Sequence, residues 1–536
     1  MFQTAELGQK VSREDFDKVA DGLRTELLEL QQTLRGCDFP VVVVFAGVDG
    51  AGKGESVNLI NEWMDPRWIV TRAYGEPSDE ERERPLYWRF WRDLPPKGQL
   101  GLFLSCWYSR PILDHVNGRL STFEFDKQME RVAAFEKTLA DDGALILKFW
   151  MHLGKDAQKR RLKSLEKDPL QSWRVSKSDW KNWKLYDKFV ETAERTVRRT
   201  DTGQTRWVIV EGEDPRYRSL TVLTELRDAI RKHMAVREAR LKVIREAKAA
   251  SAAQRSAEME KLHADVPALQ KQAEAEAKGK GKSKDATVTL AADGSLKPLT
   301  VLDALDMGLS LTKDEYNLAL KQARADLANL CRQAKEKGIS TLLAFEGADA
   351  AGKGGSIRRL TAALEARDYR VIPIAAPTDE ERAQHYLWRF WRHLPRAGRV
   401  TVFDRSWYGR VLVERIEGFA TNEEWMRAYA EINDFEEQLV QEGTVLVKFW
   451  IHISKDEQYR RFKERETIAY KSWKLTDEDW RNRAKWDQYE QSVHEMVERT
   501  STGHAPWVLV EGNDKNHARI KIIRTVCDQL KKRLEG

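Results

Sequence analysis

Short apolar runs alternate along this chain with longer stretches in which apolar positions recur every three or four residues. Residues 41–45, 342–345, 400–403, 445–450 and 507–510 are near-continuous runs dominated by Val, Leu and aromatics. Runs of that length, bounded by turn residues, predict strands buried on both faces, as in a parallel sheet. The intervening periodicity predicts helices, and strands alternating with helices predict a three-layer α/β architecture.

The pattern occurs twice, in one register. FAGVDGAGKG at 45–54 matches FEGADAAGKG at 345–354, an offset of 300 positions. The same offset relates PSDEER at 77–82 to PTDEER at 377–382, WRFWR at 88–92 to WRFWR at 388–392, KFWMH at 148–152 to KFWIH at 448–452, and WVIVEG at 207–212 to WVLVEG at 507–512. Each copy is about 220 residues, the size of a complete domain rather than a solenoid unit. The expected organisation is one domain over 1–230, a linker over 231–300 and a second domain over 301–536. The linker is rich in Ala, Glu, Lys and Arg up to 277 and then reads KGKGKSK at 278–284, which predicts a charged helix followed by a flexible joint.

Composition narrows the class. With 536 residues, 41% hydrophobic and 33% charged, the chain is neither a single small module nor wholly disordered. The formal net charge of +6 does not by itself mark a nucleic-acid binder. Four scattered cysteines without CxxC spacing give no disulfide framework or zinc site and fit a reducing compartment. The first residues lack a basic segment followed by an apolar core, and the apolar runs are too short to span a bilayer, so a cytoplasmic location without membrane partners is expected.

Both GxxxxGK segments follow a predicted strand and open a predicted helix, the context of a phosphate-binding loop. In the second copy Gly347, Ala350, Ala351, Gly352, Gly354 and Gly355 form a backbone cradle at the helix N-terminus, and Lys353 adds a full positive charge. Gly354 and Gly54 stand where such loops usually place a Mg²⁺-binding hydroxyl. Carboxylates must then supply the metal contact: Asp349 within the loop, and Asp404 at the end of the 400–403 strand. Arg405 and Arg410 follow, suited to clamping phosphate oxygens and offsetting transition-state charge. The first copy has Leu104 for the aspartate, Ser105 for Arg405 and Cys106 for Ser406, and Glu55 replaces Gly355. A leucine cannot hold Mg²⁺, and a carboxylate just after the loop is expected to repel phosphate, so chemistry is expected from the second copy.

Residues 454–485 hold ten Lys and Arg against seven Asp and Glu, and 154–185 hold ten against four. After a phosphate loop, such segments predict helical lids that shield phosphates from water; Lys455, Arg460, Arg461 and Lys463 lead the second. Trp388, Trp391, Trp473 and Trp480 are expected to serve core and lid packing or one base platform rather than a nucleic-acid track. His152 and His452 have no metal-ligand spacing and are expected to be structural.

Together, GADAAGKGG at 347–355, PTDEER at 377–382, LWRFWRHLP from Leu387, FDRSWYGR at 403–410 and KFWIHISKDEQYRRF from Lys448 resemble the polyphosphate kinase 2 family, in its two-domain, AMP-phosphorylating form. The resemblance covers nearly the whole chain outside the linker. It implies a tandem duplication of a P-loop kinase fold similar to thymidylate kinases. It also implies Mg²⁺-dependent transfer of a terminal phosphoryl from inorganic polyphosphate to AMP, giving ADP, in the second copy. By matching positions it makes Lys353, Asp349, Asp404, Arg405 and Arg410 phosphate and Mg²⁺ residues. Two alternatives remain open at this point: an ATP-dependent nucleoside monophosphate kinase, and a non-catalytic polyanion-binding protein. The duplication itself points to a pseudo-dimer within one chain, with room for further homo-oligomerisation.

Overall fold

The computed structural model describes residues 1–264, 271, 299–467 and 477–536. The expected joint at 278–284 lies outside the described residues, as do Lys471, Trp473 and Lys474 of the second basic segment. The charged stretch from 231 onward continues a single helix, Pro215–Ala264. Two compact units are formed: Met1–Glu81 with Tyr87–Arg245 and Pro377–Arg392, and Arg82–Leu86 with Glu246–Ala376 and His393–Gly536.

In the first unit β1 (Val41–Gly47), β2 (Ile69–Ala73), β3 (Leu100–Leu104), β4 (Leu145–His152) and β5 (Trp207–Glu211) form a parallel sheet ordered β2-β3-β1-β4-β5. The second unit repeats it with β6 (Thr341–Gly347), β7 (Tyr369–Pro373), β8 (Val400–Asp404), β9 (Val445–His452) and β10 (Trp507–Glu511), ordered β7-β8-β6-β9-β10. The strands and the three-layer arrangement expected from the hydrophobic pattern are therefore present in both copies.

In the second unit Leu343, Phe345, Val402, Val447, Phe449 and Ile451 share one core with Leu327 and Leu330 of helix Lys313–Glu336 and Ile522, Ile523 and Val526 of helix Lys515–Glu535. Alternate β9 residues face the other way, against helix Asn422–Gln441. There Lys448 donates to Glu436 Oε2 at 2.7 Å, to Tyr408 Oη at 2.8 Å and to the Thr500 carbonyl at 2.8 Å. Trp407 Nε1 and the Tyr408 hydroxyl both donate to Glu436 Oε1, at 2.9 and 2.7 Å. Burial pushes the Glu436 carboxyl up and the Lys448 ammonium down, and the attraction between them opposes both shifts. The first unit repeats this network with Lys148, Glu136, Tyr108 and Trp107. The Trp-Tyr pair that survives in both copies is thus an anchor for the chain leaving β3 and β8.

The sheet order fixes the site. β6 lies between β8 and β9, with Phe345 opposite Asp404 and Gly347 opposite Ile451. The chain leaves these strands toward opposite sides of the sheet, opening the crevice where parallel α/β sheets bind ligands. Among the described residues no helix is long and apolar enough to cross a membrane.

Candidate active site

β6 ends at Gly347, whose φ is +149° and where a Cβ would lie 2.5 Å from the Ile451 carbonyl oxygen, so only glycine fits. The loop then passes through Ala350, at φ +63°, and Gly352, at φ +112°, before helix Lys353–Thr361 begins. Lys353 Nζ donates to the Gly347 and Ala348 carbonyls at 2.5 and 3.3 Å. Burial lowers its ammonium pKa, opposed chiefly by Asp349 and also by Glu346 and Asp404. Lys353 therefore sits among the three carboxylates that line this end of the sheet.

Asp349 is held from two sides. Its Oδ2 accepts from Asn482 Nδ2 at 2.8 Å and its Oδ1 from Arg405 Nη2 at 3.4 Å, while its main-chain carbonyl accepts from Gln458 at 3.1 Å. Asp404 makes no side-chain hydrogen bond among the described residues. A Cβ on Gly354 would lie 4.0 Å from Asp404 Oδ2, so the carboxylate reaches toward the space left by the missing loop hydroxyl. That donor set, one free carboxylate and one positioned carboxylate beside a phosphate cradle, fits a Mg²⁺ ion completed by phosphate oxygens and water. No cluster of three or more potential metal-ligating side chains occurs among the described residues.

Glu346 immediately precedes the GxxxxGK segment. Its buried carboxylate accepts the backbone N–H and the hydroxyl of Ser406, at 2.7 and 2.8 Å. Burial pushes its pKa up, against the Ser406 hydroxyl and the charge of Lys353. Arg405 lies between Asp404 and Ser406 in a left-handed conformation, φ +65°, and its N–H donates to the Phe345 carbonyl at 3.0 Å. Asn482, Gln458 and Glu346 leave little local signal. Aligning the two copies does flag Glu346, since Ala46 occupies its place.

The remaining expected residues are dispersed. Arg410 pairs with Glu414 at 3.2 Å. Arg460 forms two 2.7 Å hydrogen bonds to Glu457, Lys463 pairs with Glu466 at 3.2 Å, and the Lys455 carbonyl accepts from Arg483. Arg461 is buried. It donates to the carbonyls of Ala350 and Ala351, both at 2.9 Å, and to those of Gly512 and Asn513 at 2.6 and 3.0 Å. It thus braces the phosphate loop through its backbone. Trp388 and Trp391 are core residues and Trp480 packs on Phe462, as expected. His452 is buried and lines the cavity, a space of about 790 Å³ that also includes Glu346, Asp349, Arg405, Trp450 and Trp486.

In the first copy Lys53 donates to the Gly47 and Val48 carbonyls, and Asn182 and Gln158 hold Asp49 as their counterparts hold Asp349. Ser105 keeps the left-handed turn at φ +48°. The backbone frame is retained, while the chemistry of Glu346, Asp404 and Arg405 is replaced by Ala46, Leu104 and Ser105. One expectation requires correction: Glu55 is not a bare charge facing phosphate. Its carboxylate is bound by Arg218, Arg161 and Arg174 at 2.6, 2.7 and 3.1 Å.

The model of the family described as polyphosphate kinase 2 matches residues 10–238 and again residues 310–535. A polyphosphate:AMP phosphotransferase of Pseudomonas aeruginosa is 47% identical over 531 residues, covering 99% of this chain and 98% of its own. One from Acinetobacter johnsonii is 35% identical over 493 residues, covering 92% and 91%. A crystal structure of a polyphosphate kinase 2 from Pseudomonas aeruginosa PA01 superposes with a TM-score of 0.83 at 44% identity, covering 100% of both chains. With both halves matched by the family model and the relatives covered nearly end to end, the chain belongs to the polyphosphate kinase 2 family.

Proposed function

We propose that the second copy is a Mg²⁺-dependent phosphotransferase that moves the terminal phosphoryl of inorganic polyphosphate to AMP, giving ADP. Support comes from the relatives named for this reaction and from the phosphate loop with its ring of carboxylates. The observation that carries the reading is the Asp404 carboxylate reaching beside Gly354, a contact the first copy lacks because Leu104 replaces it.

The reaction requires in-line approach and neutralisation of charge, with no covalent intermediate on the protein. An AMP phosphate oxygen forms a bond to the terminal phosphorus as the bridging P–O bond to the chain breaks, leaving polyphosphate shorter by one unit. Lys353 and the loop N–H groups bind the transferred group's oxygens, and Arg405, hinged in its left-handed turn, offsets the developing charge. Asp349 and Asp404 would hold Mg²⁺, which when bound would supply further charge neutralisation. Asn482 and Gln458 keep Asp349 oriented, and Arg461 holds the loop backbone in place. On the following helix the exposed Arg460 and the half-buried Lys463 would follow the polyphosphate chain.

Incubating the purified chain with polyphosphate, AMP and Mg²⁺ should yield ADP. ADP formed from ATP and AMP, with none from polyphosphate, would make the protein a nucleoside monophosphate kinase. Salt-sensitive polyphosphate binding without any nucleotide product would make it a polyanion-binding protein.

A further inference from the structure

The first copy retains a cavity of about 780 Å³ beside its own phosphate loop. Its lining combines Gly47, Asp49 and Lys53 of the loop with apolar Ile112, Trp150 and Phe189. Trp150 is 1% exposed and backs the wall, while Phe189, half-buried, packs on it with ring centroids 5.9 Å apart. The lining therefore offers anion donors and a flat apolar wall in one space.

At three site positions the charges differ from those of the second copy, with a net loss of one negative charge. Replacement of Glu346 and Asp404 by Ala46 and Leu104 removes two carboxylates, and replacement of Arg405 by Ser105 removes one guanidinium. Asp49 remains, with its Oδ2 held by Asn182 at 3.0 Å. A phosphate on Lys53 and the loop N–H groups meets less negative charge here than in the second copy, and needs no divalent cation to screen it. Meanwhile Glu55 already occupies Arg161, Arg174 and Arg218, so these guanidiniums are committed to an internal carboxylate rather than to a long polyanion.

We propose that the first copy binds a nucleoside monophosphate in this cavity without Mg²⁺ and without transferring phosphoryl. The phosphate occupies the Gly47–Lys53 loop and the base lies against the wall that includes Trp150 and Phe189. The choice of AMP as ligand rests on the function proposed for the second copy.

Equilibrium dialysis of the full chain against labelled AMP in excess EDTA tests this. About one AMP per chain should bind, Lys53→Ala should weaken that binding at least tenfold, and Lys353→Ala should leave it in place. Phe189→Ala, which removes the half-buried ring of the apolar wall, should weaken it about fivefold, with thermal melts confirming that each variant is folded. Absence of AMP binding in EDTA, or binding lost in Lys353→Ala and kept in Lys53→Ala, overturns the proposal. ADP formation in Mg²⁺ by the same preparation tests the second copy separately: if it fails while EDTA-resistant binding persists, the function proposed above falls and the first-copy site stands.

Discussion

The Glu346 carboxylate accepts both the backbone N–H and the side-chain hydroxyl of Ser406, tying the end of β6 to the turn after β8. These two residues are replaced together in the first copy, by Ala46 and Cys106, along with Asp404 and Arg405. The pair therefore belongs with the chemistry rather than with the fold, which both copies share.

Glu346 is a positioning residue in this reading. Glu346→Gln retains an oxygen acceptor for Ser406 and should keep kcat within about threefold of wild type, whereas Glu346→Ala should lower it by more than about tenfold, for loss of two buried hydrogen bonds. Steady-state kinetics with polyphosphate and AMP, alongside thermal melts, separates the two. Equal losses in both variants would mean that the charge, not the hydrogen bonding, is what matters.

Asp404→Asn keeps the size of the side chain and removes the charge needed to hold Mg²⁺. Turnover should fall about a thousandfold, and chelating Mg²⁺ in the wild type should stop it. Residual turnover near the wild-type rate in Asp404→Asn would assign chemistry to the first copy.

Arg461 and Arg460 are neighbours in sequence with opposite expected effects. Arg461→Met strands four backbone carbonyls and should destabilise the second unit by about 3 kcal/mol, read in denaturant melts. Arg460→Ala, whose partner Glu457 is also bound by Arg461, should change stability by no more than about 0.5 kcal/mol and act instead on KM for polyphosphate.

Lys448→Met leaves the Glu436 carboxylate buried without its counter-charge and should cost about 3–5 kcal/mol. Replacing both partners, Lys448→Met with Glu436→Leu, should recover part of that loss. A single variant as stable as wild type would contradict the pairing.

Glu55 gives the first copy an acid-sensitive contact. Burial alone would raise its carboxyl, but Arg218, Arg161 and Arg174 outweigh that and hold it below its ordinary value of 4.5. With the folded pKa depressed, Glu55 contributes stability that is complete above the ordinary value and is lost as pH falls through the folded pKa. The stability gap between wild type and Glu55→Gln should therefore be widest near neutral pH and close in acid, measured by urea melts across that range. A gap that grows in acid would contradict the assignment.

The amino-acid sequence by itself determined the duplication, the strands other than the exposed edges β2 and β7, the phosphate loop and the contrast between Asp404 and Leu104. All of these are local in the chain: a run of apolar residues, a glycine spacing, or one position compared with its counterpart 300 residues away. The tertiary structure alone decided what holds the loop. Glu346 meets Ser406 across 60 positions, Asp349 meets Asn482 across 133, Arg461 meets Ala350 across 111, and Glu55 meets Arg218 across 163. Strand order and register bring these residues together, and hydrophobic periodicity carries no information about which polar side chains will face one another once the sheet has formed. The same limit explains Arg461, which a count of charges along 454–485 cannot distinguish from its exposed neighbour Arg460 until the fold buries one and leaves the other in solvent.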